Sequence, residues 1–289
     1  MKLEIGDYLE KLKKIKPKKI LLQLPEGLKS HAPRIASEIE KEGIEVIISG
    51  EPCYGGCDLR LDEAKLLDCD LILHFGHRDF GVKSEIPVLY IPVEINLELT
   101  KGLKKDLKKI KEERVAIYTS EPFRKVLDHL GNYLREINKE VVEKRIILGC
   151  SEIEKKGEAN IFVGSGKFHP LTLKGKTYFL DLERNKLEDI TSLIEREERK
   201  RQARISKFKE AKKVGILVSK KPGQFYRDYM KLKQRLEREG KEAEILIFDE
   251  ISNEKLIGFN FDFYLNTACP RIIDTISVPV IYIKEINYG

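Results

Sequence analysis

Short apolar runs bounded by charged and turn residues recur along this chain in a fixed order. Runs at Ile20–Leu24 (ILLQL), Val115–Tyr118 (VAIY) and Val214–Val218 (VGILV) each follow a charged stretch and read as buried strands. Their first residues lie 95 and 99 positions apart, which marks an internal repeat. Helix-period segments follow, with apolar positions Leu28, Ile35 and Ile39 in the first copy, Phe123, Leu127, Leu130, Leu134 and Ile137 in the second, and Phe225, Tyr229, Leu232 and Leu236 in the third. Second strands are predicted at EVIIS from Glu45, RIIL from Arg145 and AEILIF from Ala243, and third strands at DLILHF from Asp70, ANIFV ending at Val163 and DFYL from Asp262. Each copy closes on a fourth apolar run, VLYIP from Val88, TYFLD from Thr177 or VIYI from Val280. Unbroken aliphatic runs alternating with amphipathic helices predict parallel strands covered on both faces. The expected fold is therefore α/β, with three similar small domains over residues 1–100, 101–204 and 205–289. Within the second of these, the charged stretch Glu195–Arg201 reads as a solvated face of a connecting helix.

Composition narrows the partners. Of 289 residues, 54 are basic and 48 acidic, and the resulting charge of +6 is intermixed rather than blocked, so nucleic acid is not an expected partner. No apolar run reaches about 18 residues, and the opening MKLEIGDYLEKLKKIK is a charged amphipathic stretch, so neither a membrane span nor an export signal is expected. Five cysteines, an odd number, then point to reduced thiols in a cytoplasmic chain rather than to a disulfide framework.

Ligands of open parallel sheets collect beyond the carboxyl ends of the strands, and the cysteines sort by that rule. Cys57 follows the second strand of the first copy, Cys150 the second strand of the second copy, and Cys269 the third strand of the third copy. Cys69 precedes a strand, at the opposite end, and reads as a packing residue; Cys53 shares its loop with Cys57 and stays ambiguous. Three thiolates are suitable protein ligands for an iron–sulfur cluster, while ordinary loops with packed thiols remain the alternative. A rival metal reading takes Cys53, Cys57, His74 and His77, spaced C-x3-C-x16-H-x2-H, as a zinc site in an α/β binding protein without redox chemistry. A G-x-x-x-x-G-K-[ST] phosphate loop, a G-x-G-x-x-G fingerprint and a C-x-x-C redox pair do not occur, which removes support for kinase, nucleotidase and ordinary dehydrogenase functions.

A family resemblance rests on QLPEGLKSHA from Gln23, GEPCYGGCDL from Gly50, HFGHRDFG from His74, LYIPVE from Leu89, ILGCS from Ile147, GSGKFHP from Gly164, VSKKPGQ from Val218 and NTACPRI from Asn266. Together these resemble the archaeal 2-(3-amino-3-carboxypropyl)histidine synthases, which carry out the first step of diphthamide biosynthesis. The resemblance implies a homodimer whose three α/β domains are arranged around a central cluster site. One cysteine per domain, here Cys57, Cys150 and Cys269, would bind a [4Fe-4S] cluster. It implies S-adenosylmethionine as co-substrate, cleaved to a 3-amino-3-carboxypropyl radical that adds to a histidine of translation elongation factor 2, with an electron donor that is not identified. The C-x3-C-x2-C signature of ordinary radical enzymes is absent, since position 60 is Arg60. Cys57 is the preferred ligand of its loop because it stands in the family's YGxCD context, Tyr54 to Asp58. Gln224 is the candidate for the amino-acid end of the co-substrate, and Glu26 and Gly27 are the candidates for its nucleoside. His77, His169 and Lys167 are further candidates for polar contacts with substrate.

Overall fold

The computed structural model describes residues 8–95, 98–286 and 288. The chain divides into two compact units, Met1–Ile95 with Lys221–Gln224 and Asn96–Lys220 with Phe225–Gly289.

In the first unit β1 (Lys19–Gln23), β2 (Glu45–Ile48), β3 (Leu71–Phe75) and β4 (Val88–Ile91) form one sheet in the order β2-β1-β3-β4. All its pairings are parallel. In the second unit β5 (Arg114–Thr119), β6 (Glu140–Ile146), β7 (Ala159–Gly164), β8 (Thr177–Asp181) and β9 (Lys186–Asp189) order as β6-β5-β7-β8-β9. That unit also holds β10 (Lys213–Ser219), β11 (Glu242–Phe248), β12 (Phe263–Asn266) and β13 (Val280–Tyr282), ordered β11-β10-β12-β13. The same second-first-third-fourth order thus occurs in all three sheets, and each reverses direction of growth between its first and third strands, where α/β sheets place ligands.

Burial follows strand position. The inner strands β3, β7 and β12 are buried at every residue, whereas the edge strands β2, β6 and β11 are half-exposed. Helices Ala32–Glu40, Arg124–Glu136 and Tyr229–Arg238 link the first and second strands, and their apolar faces bury Ile35 and Ile39, Leu127, Leu130 and Leu134, and Leu232 and Leu236. Helix Thr191–Glu210 carries the charged stretch and buries only Ile194 and Phe208.

Two strand expectations need correction. In the second repeat the second strand is Glu140–Ile146 (EVVEKRI), which starts five residues before the RIIL run and shares only Arg145 and Ile146 with it. At a solvated edge the strand carries a mixed pattern, while Ile147, beyond its end, is the fully buried residue. Strand β9 pairs antiparallel with β8 and adds a fifth strand that a search for apolar runs passes over, because KLED is mostly polar.

One device is built three times. The carboxylate just before or beside each third strand accepts the two backbone N–H groups that open the first strand: Asp70 Oδ2 from Lys18 and Lys19 (2.7 and 2.9 Å), Glu158 Oε2 from Glu113 and Arg114 (2.9 and 3.3 Å), Asp262 Oδ2 from Lys212 and Lys213 (2.9 and 2.8 Å). These backbone donors hold all three carboxyls below their usual range. A depressed folded-state pKa contributes stability above the ordinary carboxylate pKa, and that stability is lost as pH falls through the folded value. The Asp70→Asn, Glu158→Gln, Asp262→Asn chain is therefore expected to lose less melting temperature than the parent between neutral pH and about pH 3. Equal acid sensitivity of the two chains in thermal melts would remove these carboxylates from the account.

Candidate cluster-binding site

Cys57 lies in the half-buried loop after β2 and is held by residues 221–224 of the same unit. The Gly223 N–H donates to the Cys57 carbonyl at 2.9 Å, and Gln224 Nε2 lies 3.5 Å from Cys57 Sγ. Gly223 is needed here, since a Cβ on it would stand 2.6 Å from Cys57 Cα. One step along the loop, Lys221 Nζ donates to Asp58 Oδ2 at 2.9 Å, with Asp58 fully buried and Lys221 7% exposed. The Tyr54 backbone N–H donates to the same carboxylate oxygen, and Lys221 also sits 4.8 Å over the Tyr54 ring. Charge, backbone and amide contacts therefore grip both sides of the Cys57 residue.

Beneath this loop runs a buried polar chain. Gln23 Nε2 donates to the Asp58 carbonyl at 2.6 Å, Gln23 Oε1 faces His74 Nδ1 at 3.2 Å, and His74 Nε2 faces His77 Nδ1 at 3.0 Å. Burial pushes His74 down to about 3, helped by His77, and pushes His77 down to about 4. Cys53 is buried, with its Sγ 3.9 Å from His74 Nε2, and burial followed by the charge of Asp58 pushes its thiol up to about 12. Of the four residues in the rival zinc spacing, the structure brings Cys53, His74 and His77 together, and Cys57 is not part of that group.

In the second unit Cys150 and Cys269 are both half-buried thiols in loops after β6 and β12. Phe168 connects these loops. A Cβ on Gly149 would fall 2.0 Å from its ring, and Arg271 stacks over that ring at 5.5 Å. Tyr282, at the end of β13, is pushed up to about 12 by burial and then by the charges of Cys150, Cys269 and Glu152, so both thiols lie within electrostatic reach of one hydroxyl. Burial also raises the Cys150 thiol, against the nearby charge of Lys284.

The remaining candidates take other places. Glu26 is exposed and pairs with Lys29 at 2.6 Å, and the Cβ position of Gly27 faces open space. Lys167 pairs with Glu188 at 2.5 Å. His169 stacks on Phe162, meets Phe168 edge-on and is pushed down to about 4 by burial and by Arg271. Cys69 is buried among Leu21, Ala64 and Ile72 at the other end of the sheet, as expected of a packing residue. Asp58, Lys221 and Tyr282 were not singled out in the sequence, although Asp58 and Lys221 lie within the YGGCD and VSKKPGQ segments.

A family model for diphthamide synthesis proteins matches residues 24–288. The chain is 34% identical to the 2-(3-amino-3-carboxypropyl)histidine synthase of Pyrococcus horikoshii, covering 92% of this chain and 83% of that one. It is 33% identical to the synthase of Methanocaldococcus jannaschii, over 92% and 81%. Crystal structures of Dph2 from Pyrococcus horikoshii, one of them with a 4Fe-4S cluster, superpose with a TM-score of 0.90 at 32% identity, over 99% of this chain and 90% of that one. The chain belongs to the diphthamide synthesis protein family.

Proposed function

We propose that this chain is a transferase that moves the 3-amino-3-carboxypropyl group of S-adenosylmethionine onto the imidazole C2 of a histidine in translation elongation factor 2, the first step of diphthamide biosynthesis. The observation that carries the reading is the built environment of Cys57, in a family whose Pyrococcus horikoshii member holds a 4Fe-4S cluster. The donor set fits such a group. Cys57, Cys150 and Cys269 are reduced, half-buried thiols at strand-end loops, and soft sulfur donors suit iron in clusters. In this reading those three cysteines hold a [4Fe-4S] cluster, which when bound supplies the electron that cleaves the sulfonium S–Cγ bond.

The chain's own residues then have positioning work. Gln224 places an amide against Cys57 Sγ, so an amino-acid group bound to Gln224 sits beside that sulfur. Gly223 lets the segment approach without a side chain, and the Lys221–Asp58 pair fixes the loop from within. Glu26 and Gly27, both exposed after β1, are proposed for the nucleoside end. Among the described residues no helix is long and apolar enough to cross a membrane. A cytoplasmic homodimer supplied by a separate electron donor completes the proposal.

Product analysis tests it. Anaerobic chain with reductant and S-adenosylmethionine is expected to release methylthioadenosine and to label elongation factor 2. Deoxyadenosine as the main product would overturn the proposed bond cleavage.

A further inference from the structure

Cys53, His74 and His77 gather one sulfur and two nitrogen donors within 4.8 Å of one another, and the proposed transfer uses none of the three as a cluster ligand. Their spacing suits one small cation. Zinc bonds of about 2.0–2.1 Å to nitrogen and about 2.3 Å to sulfur put tetrahedral ligand atoms roughly 3.3 Å apart for two nitrogens and roughly 3.6 Å apart for nitrogen and sulfur. Here His74 Nε2 and His77 Nδ1 are 3.0 Å apart, and Cys53 Sγ and His74 Nε2 are 3.9 Å apart. Small side-chain adjustments therefore bring all three onto one ion.

The proton positions favour the same reading. Because Gln23 Nε2 donates to the Asp58 carbonyl, it is Gln23 Oε1 that faces His74 Nδ1. That oxygen only accepts, so Nδ1 carries the proton of a neutral His74 and the lone pair stands on Nε2, toward Cys53 and His77. A histidine whose second ring nitrogen donates to a fixed acceptor is the arrangement that orients a metal ligand. Without a cation, that single lone pair faces both the His77 nitrogen and the Cys53 thiol.

We propose that Cys53, His74 and His77 form a mononuclear site for a zinc-class divalent cation, with one thiolate and two imidazole ligands and a water as the fourth. One soft and two borderline donors select zinc over magnesium or calcium. Binding transfers the Cys53 proton to solvent and involves no change of oxidation state. The cation ties the loop four residues ahead of Cys57 to the end of β3, at His74, and to His77 just beyond it.

This site is independent of the transferase reading, and its test keeps the two apart. The full-length chain carrying Cys57→Ala, Cys150→Ala and Cys269→Ala is titrated anaerobically with Co(II). A thiolate-to-cobalt charge-transfer band with tetrahedral ligand-field bands should saturate at one cobalt per chain and disappear on adding Zn(II). Cys53→Ser in that background should abolish the charge-transfer band, and His77→Ala should weaken binding at least about tenfold. A folded chain with no band, or a band unchanged by Cys53→Ser, overturns the site. Should the triple variant lose cooperative melting, zinc-edge X-ray absorption on the unmutated full chain reads the same point. One sulfur and two imidazole nitrogens support the site, and a chain that retains no zinc after equilibration overturns it.

Discussion

Changing Cys150 to alanine is expected to bring bound iron from about four per chain to near zero and to end methylthioadenosine formation. The same result is expected for Cys57→Ala and Cys269→Ala, because a cluster with one open iron has only three protein sulfurs holding it and the loss of any one leaves two. Fold stability should change little by comparison, since all three thiols are half-buried in loops rather than in the core. Cys69→Ala is the contrasting variant. Its thiol packs with Leu21, Ala64 and Ile72, so truncation should cost roughly 1 kcal/mol and lower the melting temperature by a few degrees while iron and activity stay at parental levels. Iron and acid-labile sulfide measured on anaerobically prepared chains decide the matter. Full loading in Cys150→Ala, or loss of loading in Cys69→Ala, would break the ligand assignment.

The placement of Cys57, Cys150 and Cys269 in loops after strands was legible in the sequence because it depends on a rule about strand ends. Runs such as ILLQL and VGILV identify inner strands by being mostly aliphatic, and the residues that follow a strand lie on the ligand side whatever the details of the loop. Edge strands were less legible. EVVEKRI and KLED are half-solvated, so their patterns carry polar residues that an apolar search rejects, and RIIL attracted the strand prediction because Ile147 is buried just past the true strand. Contacts between distant segments were least legible of all. Lys221 meets Asp58 across a separation of 163 residues, and nothing in either local sequence pairs them. The spacing of Cys53, Cys57, His74 and His77 suggested a four-residue set, yet the side chains that converge are three, because His74 points inward from a fully buried strand toward Cys53 while Cys57 turns to Gln224.

Lys221→Met is expected to destabilise the chain by about 3–5 kcal/mol, the range for removing one partner of a buried ion pair. Asp58 is fully buried and Lys221 7% exposed, so solvent screening does not relieve the carboxylate left behind. Arg60, at 4.0 Å from the other carboxylate oxygen, is too distant to replace the lost hydrogen bond. The partner change separates charge from shape. Pairing Lys221→Met with Asp58→Leu removes both charges, and the double variant should recover most of the lost stability in urea unfolding, since a buried pair is often exchangeable for apolar side chains. Activity should not recover with it. Lys221 begins the segment whose Gly223 and Gln224 touch Cys57, and a displacement of that segment by about 1 Å is enough to cost roughly 10²-fold in rate. Stability restored without methylthioadenosine formation is therefore the expected signature of a pair that positions the Cys57 loop. A double variant as active as the parent would reduce the pair to a stabilising contact alone.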